Sequence, residues 1–290
     1  MISVIMPTFN RERCIEKSVR TVLEQSVTDL ELIVVDDGSS DSTRSIIEGI
    51  GDSRLQYIYQ ENAGACVARN RGIDAASGEY LAFQDSDDLW DKDKLKKQIA
   101  VLEANEQVDI VCCRTRLRQL DGSLLVTAKN HEEGFVDLTK GPVGFSTQTL
   151  VMRKTVTDQV KFDPNVTRYQ DLDFLISAMS AGFTLYCLEE SLVERTNGTD
   201  SITNHPGRVY DMAKFFEQKY RDIMSVEGNF LSRFFSSVLL ESAYAQKSRN
   251  EAYRHIVQEA YALDPSMKTR VKDLMLRLGL FPLYKKLVSR

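Results

Sequence analysis

The sequence predicts an α/β fold: a doubly wound, mostly parallel sheet followed by a helical C-terminal extension. Three observations support this prediction. Short β-branched runs alternate with helical patterns through the first half of the 290 residues. Several of these runs are apolar at every position, as in strands buried on both faces. From Val209 onward the chain has the periodicity of helices alone. Strand–helix alternation at these lengths is typical of parallel sheets covered by helices.

The first half of the chain contains the predicted strands and helices in alternation. The first strand is expected to end at Pro7. Strands are predicted at Ser3–Met6, Leu32–Val35, Leu55–Tyr59 and Tyr80–Phe83, and helices at Ile15–Leu23, Ser42–Ile50 and Ala65–Ala76.

The middle of the chain, from about Asp109 to Glu194, is less regular. Strands are predicted at Asp109–Cys113 and Leu150–Met152, on either side of a loop-rich stretch with several glycines. A helix is predicted at Asp171–Ala181 because its apolar residues fall on one face.

The charge of the chain excludes one class of function. Lys and Arg number 37 and Asp and Glu number 42, which gives a net charge of −5 and is a poor match for general nucleic-acid binding. The charge is unevenly distributed, because residues 267–290 carry +6 and the rest of the chain carries −11. Apolar residues at helical spacing in this tail predict a basic amphipathic helix on an anionic membrane surface. The alternative is a terminal helix packed on the domain with its lysines in solvent.

Targeting and redox features are few. Met1 opens directly into a strand-like run, without the pattern of a secretory signal. No apolar stretch approaches the roughly 20 residues that a membrane-spanning helix needs. The five cysteines include no Cys-x-x-Cys pair, so we expect reduced and mostly buried thiols. These features predict a cytoplasmic protein.

Three predicted strands end in polar, turn-rich clusters. The clusters are residues 7–10, 36–40 and 85–88. Because ligands of doubly wound sheets bind beyond the carboxyl ends of the strands, we expect one shared site there. The first strand is not followed by a Gly-x-Gly-x-x-Gly motif and no Gly-Lys-Ser/Thr loop exists, which argues against a dinucleotide site and a P-loop.

The cluster 85–88 contains three carboxylates. Asp85, Asp87 and Asp88 are the oxygen ligands that Mg²⁺ or Mn²⁺ prefers, and such an ion commonly bridges a carboxylate to substrate phosphates. The alternative is a solvated turn in which Asp88 or Asp91 caps the next helix. His205, in a later loop, is a candidate to complete the metal shell, and a solvent-exposed histidine is its alternative.

The other candidate site residues are acids and one arginine, and each of them has more than one interpretation. Asp36 and Asp37 end a strand, where one carboxylate is suited to accept hydrogen bonds from a base edge, while Asp41 or Ser42 is a candidate N-cap. Arg69 is within reach of a nucleotide or of a site carboxylate. Asp171 and Asp173 begin a helix, and their spacing lets at most one of them face a given site; on spacing alone, both simply favour the helix N-terminus.

These motifs together resemble the family 2 glycosyltransferases, which have the Rossmann-related GT-A fold. The resemblance runs from Ser3 to about Ser201. Four motifs carry it, in family order and at family spacing: Val4–Arg11, Val34–Ser39, Gly64–Gly72 and Phe83–Asp88.

The resemblance implies a role for each matching residue. Asp171 matches the catalytic base of a Glu-Asp pair, with Gln170 in place of the usual glutamate. Asp87 matches the direct metal ligand of the DXD pair, and Asp85 lies nearer the ribose. The residues implied in nucleotide binding are Pro7, Thr8, Asn10, Asp37, Arg69, Asp85 and Ser86, and those considered for the metal are Asp87, Asp85 and His205.

The resemblance further implies an inverting transfer from a nucleoside-diphosphate sugar, preferably a UDP-sugar, to an acceptor hydroxyl. One base suffices, because a divalent metal, Mn²⁺ or Mg²⁺, neutralises the leaving diphosphate. Residues 1–205 would form the transferase domain, with a nucleotide-binding half to about residue 113 and an acceptor half from about 114. Residues 206–290 would form a helical region that is a candidate for membrane association.

The expected partners are a nucleotide-sugar donor and a glycan or lipid-linked acceptor in cell-surface polysaccharide assembly, with the enzyme at the inner face of the plasma membrane. Two other functions remain open. A sugar nucleotidyltransferase needs a Gly-rich phosphate loop after the first strand, which the segment 7–11 lacks. A non-catalytic nucleotide-sugar-binding scaffold would not need the intact carboxylates.

Overall fold

A computed structural model gives the fold of the chain. It describes residues 1–118, 123–126, 133–137, 146–196, 206–224, 230–245, 251–266, 269–270 and 272–274. The chain divides into two compact units, one formed by residues 1–136 and 143–199 and the other by residues 137–142 and 200–290.

The first unit has a mixed α/β architecture. Its described strands are β1 (Ile2–Thr8), β2 (Leu30–Asp36), β3 (Leu55–Tyr59), β4 (Tyr80–Phe83), β5 (Leu89–Trp90), β6 (Ile110–Arg118), β7 (Leu124–Val126), β8 (Gly134–Phe135), β9 (Val151–Arg153) and β10 (Leu185–Thr196). Its described helices are α1 (Ile15–Leu23), α2 (Thr43–Glu48), α3 (Ala65–Ala75), α4 (Lys94–Ala104), α5 (Lys154–Gln159) and α6 (Gln170–Ser180), with a 3₁₀ turn at Thr147–Thr149.

The strands form one sheet in the order β3-β2-β1-β4-β9-β6-β10-β5, with β7 beside β6 and β8 beside β10. The pairs β1–β2, β1–β4, β2–β3 and β6–β10 are parallel. Strand β9 is antiparallel to both β4 and β6 and so joins the two parallel parts. The predicted fold class, a mostly parallel doubly wound sheet, is confirmed.

Burial explains why the first strands are apolar throughout. Every residue of β1 is buried, and β2 has one half-buried position. The apolar face of α1, with Ile15, Val19 and Val22 fully buried, packs into the same core as Val4 and Met6 of β1. Each such side chain contributes roughly 1.5–3 kcal/mol through its burial.

Strand β1 continues through Pro7, where the sequence predicted its end. The Ile5 carbonyl accepts from the Gln84 N–H, so Ile5 faces β4, and Pro7, two residues later, faces the same side. The β1–β4 pairing stops at Ile5. The missing N–H of Pro7 therefore falls where no strand lies opposite, and β1 keeps pairing with β2 as far as Thr8.

Helix α3 lies unusually close to the sheet at Gly72. A Cβ atom added at Gly72 would lie 2.4 Å from Cγ2 of Ile5, in the middle of β1. Only glycine allows this approach of a helix to a strand. The same helix contains Arg69, one turn earlier.

The second unit is helical in its described part, as predicted. It contains α7 (Pro206–Lys219), α8 (Arg221–Met224), α9 (Phe230–Ala245) and α10 (Glu251–Leu263). The ring of Phe216 stacks on that of Phe235 at 4.8 Å, which joins α7 to α9. None of the helices in the described ranges combines the length and the apolar character needed to cross a membrane. Residues 275–290, most of the predicted basic tail, lie outside the described residues.

Candidate active site

The three polar clusters lie side by side at one edge of the sheet. Strand β1 lies between β2 and β4, pairing Thr8 with Asp36 on one side and Ile5 with Phe83 on the other. The carboxyl ends of these parallel strands therefore open onto a common edge. The shared location of residues 7–10, 36–40 and 85–88 follows from this topology.

The loops after β1 and β2 are bonded to each other. The Asn10 N–H donates to Oγ of Ser39 at 2.8 Å, and Asn10 Oδ1 accepts from the Ser40 N–H at 2.9 Å. Asn10 has a φ of +51°, a left-handed conformation that asparagine tolerates better than most residues. The Arg11 N–H donates to Oγ1 of Thr43. These bonds fix the two loops as one rim of the site.

Asp36 and Asp37 are both buried, and each has its own donors. Asp36 accepts from the Tyr57 hydroxyl at 2.7 Å and the Ser39 N–H at 2.8 Å. Tyr57 is a donor that the sequence pattern did not indicate. These hydrogen bonds offset the repulsion between two adjacent carboxylates.

Asp37 connects the end of β2 to the start of α3. It accepts from Gln60 Nε2 at 2.7 Å and from the N–H groups of Ala63 and Gly64, each at 2.8 Å. A carboxylate has roughly four acceptor positions, so Asp37 retains capacity for a ligand donor. Of the two predicted caps of α2, Ser42 occupies the N-cap position without a side-chain capping bond, and Oδ1 of Asp41, one residue earlier, accepts from the Thr43 N–H.

The end of β1 has an unsatisfied polar atom. Pro7 and Thr8 are buried, and Oγ1 of Thr8 has no hydrogen-bond partner among the described residues. Leaving a buried hydroxyl unpaired costs about 1–3 kcal/mol. The next residue, Phe9, is 44% exposed, an aromatic ring on the rim that the sequence prediction did not single out.

Arg69 joins the acidic turn to the start of α6. Its Nη2 donates to Asp85 Oδ1 at 3.0 Å and its Nη1 donates to Gln170 Oε1 at 2.7 Å. The guanidinium lies 5.3 Å from the ring of Phe162 and is mostly buried. Arg69 thus connects residues 16 and 101 positions away in the chain.

Asp171 lies beside this bridge. Loss of solvent around its carboxyl raises the pKa of Asp171, with the Asp85 carboxylate acting in the same direction. The Leu172 N–H and the Arg69 guanidinium lower that pKa and only partly offset the burial. A carboxyl group with a raised pKa is a stronger base than an ordinary aspartate. Asp173, on the same helix, is almost fully buried.

Asp87 pairs with one arginine and lies within electrostatic range of a second. Arg11 Nη2 is 3.6 Å from Asp87 Oδ2. Loss of solvent and then the Asp85 carboxylate raise the pKa of Asp87, and Arg11 and Arg195 lower it. Arg195 is near because β10 is antiparallel to β5, with Glu194 opposite Leu89. The sequence prediction assigned no role to either arginine. Arg11 lies inside the first motif and could have been found there, whereas Arg195 lies far from every motif in the sequence.

The remaining acids of the turn do not cap a helix. Helix α4 begins at Lys94, and Asp93 at its N-cap position makes no side-chain capping bond. Asp91 binds the Arg116 guanidinium, and Asp88 Oδ2 accepts from Gln148 Nε2 at 2.5 Å. The capping alternative is therefore wrong for both residues. Ser86, between the two DXD acids, is buried.

The donor set suits a hard divalent cation bound together with a substrate. The side chains of Asp85 and Asp87 are 30% and 38% exposed, and the Asp85 carboxylate raises the pKa of Asp87. Within the described ranges, no three or more His, Cys, Asp and Glu side chains gather as a complete metal site. Mg²⁺-type sites use one or two carboxylates and take their other ligands from phosphates and water, which two acids satisfy. His205 lies outside the described residues.

A model of the family described as Glycosyl transferase family 2 matches residues 3–175, more than half of the chain. TuaG of Bacillus subtilis (strain 168), a glycosyltransferase named for teichuronic acid biosynthesis, is 34% identical over 228 residues. That alignment covers 77% of this chain and 88% of TuaG. The chain belongs to glycosyltransferase family 2.

The fold of this family 2 glycosyltransferase is similar to that of solved glycosyltransferase structures. The UDP-GlcNAc complex of TarS 1–349 from S. aureus has a TM-score of 0.69 at 19% identity, covering 98% of this chain and 91% of that one. The mannosyltransferase PcManGT from Pyrobaculum calidifontis, in complex with GDP-Man and Mn²⁺, has a TM-score of 0.59 at 17% identity, covering 99% and 86%. The fold is GT-A-like, as the motifs implied.

Proposed function

We propose that this family 2 glycosyltransferase is a metal-dependent, inverting enzyme that transfers a sugar from a UDP-sugar to an acceptor hydroxyl. The observation that carries the proposal is the position of Asp171. Asp171 directly follows Gln170, whose Oε1 accepts from the same Arg69 guanidinium that binds Asp85, and burial raises the pKa of the Asp171 carboxyl. A base therefore stands beside the edge where the nucleotide would bind.

The donor would occupy the edge formed by β1, β2 and β4. Thr8 and Asn10 at the end of β1, with Pro7 as the buried floor, would line the nucleotide pocket. Asp37 would accept from the base, for which it has acceptor capacity left. The exposed ring of Phe9 offers a flat apolar surface for the base to stack on. Asp85 and Ser86 would lie near the ribose and Arg69 near the phosphates.

Asp87 and Asp85 would hold the metal, with diphosphate oxygens and water completing its ligands. When bound, Mn²⁺ or Mg²⁺ supplies positive charge that stabilises the departing diphosphate. The PcManGT complex contains Mn²⁺, which supports this class of ion. Arg69, Arg11 and Arg195 add cationic groups around Asp85 and Asp87. His205 remains a candidate further ligand.

The transfer step follows from these positions. Asp171 accepts the proton of the acceptor hydroxyl while the oxygen of that hydroxyl bonds to the anomeric carbon of the donor sugar. The bond from that carbon to the diphosphate oxygen breaks in line, and the diphosphate leaves with the electron pair. A single displacement inverts the anomeric configuration. A second catalytic acid of the kind used by glycosidases is not required.

The acceptor would be a glycan or a lipid-linked glycan of a cell-surface polysaccharide, which the name of TuaG supports. The donor half would comprise residues to about 113 and the acceptor half about 114–205. Residues 206–290 would form the separate helical region. We place the enzyme in the cytoplasm, at the inner face of the membrane, where nucleotide sugars and a lipid-linked acceptor would meet.

Asp171→Asn tests the proposal. The variant should bind UDP in the presence of Mn²⁺ with nearly the wild-type affinity, measured by thermal shift. Its sugar transfer should fall by about 10²-fold or more, because only the proton acceptor is lost. Transfer is measured as UDP release from a panel of UDP- and GDP-sugars with mixed acceptors. Asp74→Asn, an exposed carboxylate on α3, is the matched control.

Three results would contradict the proposal. Wild-type transfer by Asp171→Asn would remove Asp171 as the base. Pyrophosphate release from a nucleoside triphosphate and a sugar phosphate would favour a nucleotidyltransferase. Nucleotide-sugar binding without turnover of any donor would favour a non-catalytic scaffold.

A further inference from the structure

The third acid of the turn has a different environment from the other two. Asp88 is 4% exposed, whereas the side chains of Asp85 and Asp87 are 30% and 38% exposed. The turn is closed by a bond from the Asp88 N–H to the Asp85 carbonyl at 3.1 Å. Asp85 and Asp87 therefore face the site while Asp88 points into the protein.

Three buried side chains hold the turn from inside. Gln148 Nε2 donates to Asp88 Oδ2 at 2.5 Å. Gln84 Nε2 donates to the Asp88 carbonyl at 2.7 Å, and the Ser18 hydroxyl lies 2.9 Å from that carbonyl and 3.1 Å from the Asp85 carbonyl. Gln84, Gln148 and Ser18 are each no more than 1% exposed. The bonds come from α1, from the residue that follows β4 and from the 3₁₀ turn, and together they fix the four residues of the acidic turn.

We propose that Asp88 and Gln148 form a buried clamp that sets the orientation of the Asp85 and Asp87 carboxylates. Asp88 is a positioning residue in this arrangement and not a ligand of metal or nucleotide. The inference rests on the proposed role of Asp85 and Asp87 in holding the metal and the nucleotide.

The physical basis is the cost of taking a hydrogen-bond donor away from a buried carboxylate. A charged acceptor that loses its buried donor must either turn toward water or bring water in, and either change rearranges the turn. Because Asp87 is the neighbouring residue, a shift of the backbone at Asp88 moves the Asp87 carboxylate as well. The hydrogen bond between Gln148 and Asp88 thereby fixes the spacing of the Asp85 and Asp87 carboxylates.

The clamp has a spectroscopic reporter built into it. Trp90 is the one tryptophan in the sequence. Its indole Nε1–H donates to the Gln148 carbonyl at 3.1 Å, and the ring is 5% exposed. Trp90 also lies two residues after Asp88. Its fluorescence therefore reports on the residue that holds Asp88.

An exchange of donor and acceptor tests the clamp. Gln148→Glu places two carboxylates against each other and should break it. Asp88→Asn combined with Gln148→Glu reverses the donor and the acceptor at nearly unchanged volume and should restore it. Asp88→Asn alone keeps an acceptor for Gln148. Thr157→Val, which removes a buried hydroxyl that donates to the Lys154 carbonyl within α5, is the stability control.

The first measurement uses the full chain without ligand. Amide hydrogen exchange in the segment 84–90 should accelerate in Gln148→Glu, with a shifted Trp90 emission, and both should return toward wild type in the double variant. Thr157→Val should lower the melting temperature without this local change. Equal exchange in the wild type and Gln148→Glu would overturn the clamp, whatever ligands the protein binds.

The second measurement is UDP affinity in the presence of Mg²⁺, by calorimetry. Gln148→Glu should weaken it by about tenfold, the size expected for losing one hydrogen bond to a charged group. The double variant should recover most of the loss, and Asp88→Asn should lose less than Asp87→Asn. If Asp88→Asn lost as much as Asp87→Asn, Asp88 would be a ligand. If the wild type did not bind UDP at all, the proposed function would fail, while the exchange measurement would still decide the clamp.

Discussion

At the scale of single residues, the bridge through Arg69 is the feature that most directly links donor and base. The guanidinium binds a carboxylate, Asp85, and a neutral amide, Gln170. A glutamate at position 170, which the family resemblance implies as usual, would place a further negative charge beside Asp171. Gln170 therefore leaves more of the positive charge of Arg69 available to Asp85 and Asp171.

Gln170→Glu should shift the pH dependence of catalysis. The added carboxylate raises the pKa of Asp171 further, and Asp171 must be ionised to accept a proton. The acid limb of kcat/KM should therefore move to higher pH by about one unit. Gln170→Met, which removes the bond to Arg69 without adding charge, is the control and should not move the limb upward. An unshifted limb in Gln170→Glu would show that another group controls this ionisation.

Several of the site residues that the sequence predicted lie close to a strand end in the chain. Asp37, Asp85 and Asp87 could be placed because a parallel sheet brings its carboxyl ends together. Gln148 and Arg195 could not be placed, because the acids near them, Asp88 and Asp87, are 60 or more positions away in the chain. Their positions depend on the pairing of β10 and on the course of the chain before β9. Spacing does not encode such contacts.

At the scale of elements, helix α4 begins with a buried lysine. Lys94 is 0% exposed, and its Nζ lies 3.9 Å from the centre of the Trp90 ring. Nζ has no hydrogen-bond partner within the described part of the chain. Burial lowers the pKa of Lys94 to about 8, with Cys113 acting weakly in the other direction. The aromatic face compensates part of the cost of burying the cation.

Lys94 should make stability depend on pH. In the unfolded chain the amine has a pKa near 10.5, so between about pH 8 and 10.5 the unfolded state binds more protons and folding becomes more favourable as pH rises. Below about pH 8 the full cost of the buried charge applies. The free energy of unfolding of Lys94→Met, relative to wild type, should therefore fall by up to about 3 kcal/mol across this window. Urea unfolding at several pH values measures it, and parallel curves would contradict it.

The elements themselves were predicted unevenly. Strand β3 was predicted with its observed limits, Leu55–Tyr59, because turn residues bound it on both sides. Strand β10 was not predicted, because its ladder with β6 has register shifts between Cys187 and Val193 and its sequence there contains two glutamates. Strand β5 has two residues, too few for any period to be visible.

At the scale of the whole molecule, the uneven charge is a feature of two regions. The acidic body includes the carboxylates of the site, while residues 267–290 carry +6. Within the few described residues of this tail, Leu274 is 54% exposed, whereas Lys272 is buried and donates to Ser237. The membrane-binding helix stays a prediction, because most of its residues, 275–290, lie outside the described part of the chain.

The full chain should sediment with phosphatidylglycerol vesicles at low salt. Each basic residue near an anionic surface contributes about 1 kcal/mol, and salt screens the attraction. Binding should therefore weaken at high salt and in a variant with Lys285→Gln and Lys286→Gln, while vesicles of phosphatidylcholine alone should bind little. Failure to sediment with anionic vesicles at low salt would remove the membrane from the list of partners.

The close approach of α3 to β1 means that Gly72 sets the distance between this helix and the sheet. Gly72 lets the helix rest on Ile5, and Arg69 lies one turn away on the same helix. The height of α3 above the sheet therefore sets how far Arg69 extends toward Asp85 and Gln170. A methyl group at position 72 would push α3 away from the sheet. The resulting displacement of Arg69 would be felt at the substrate, away from the atom that was added.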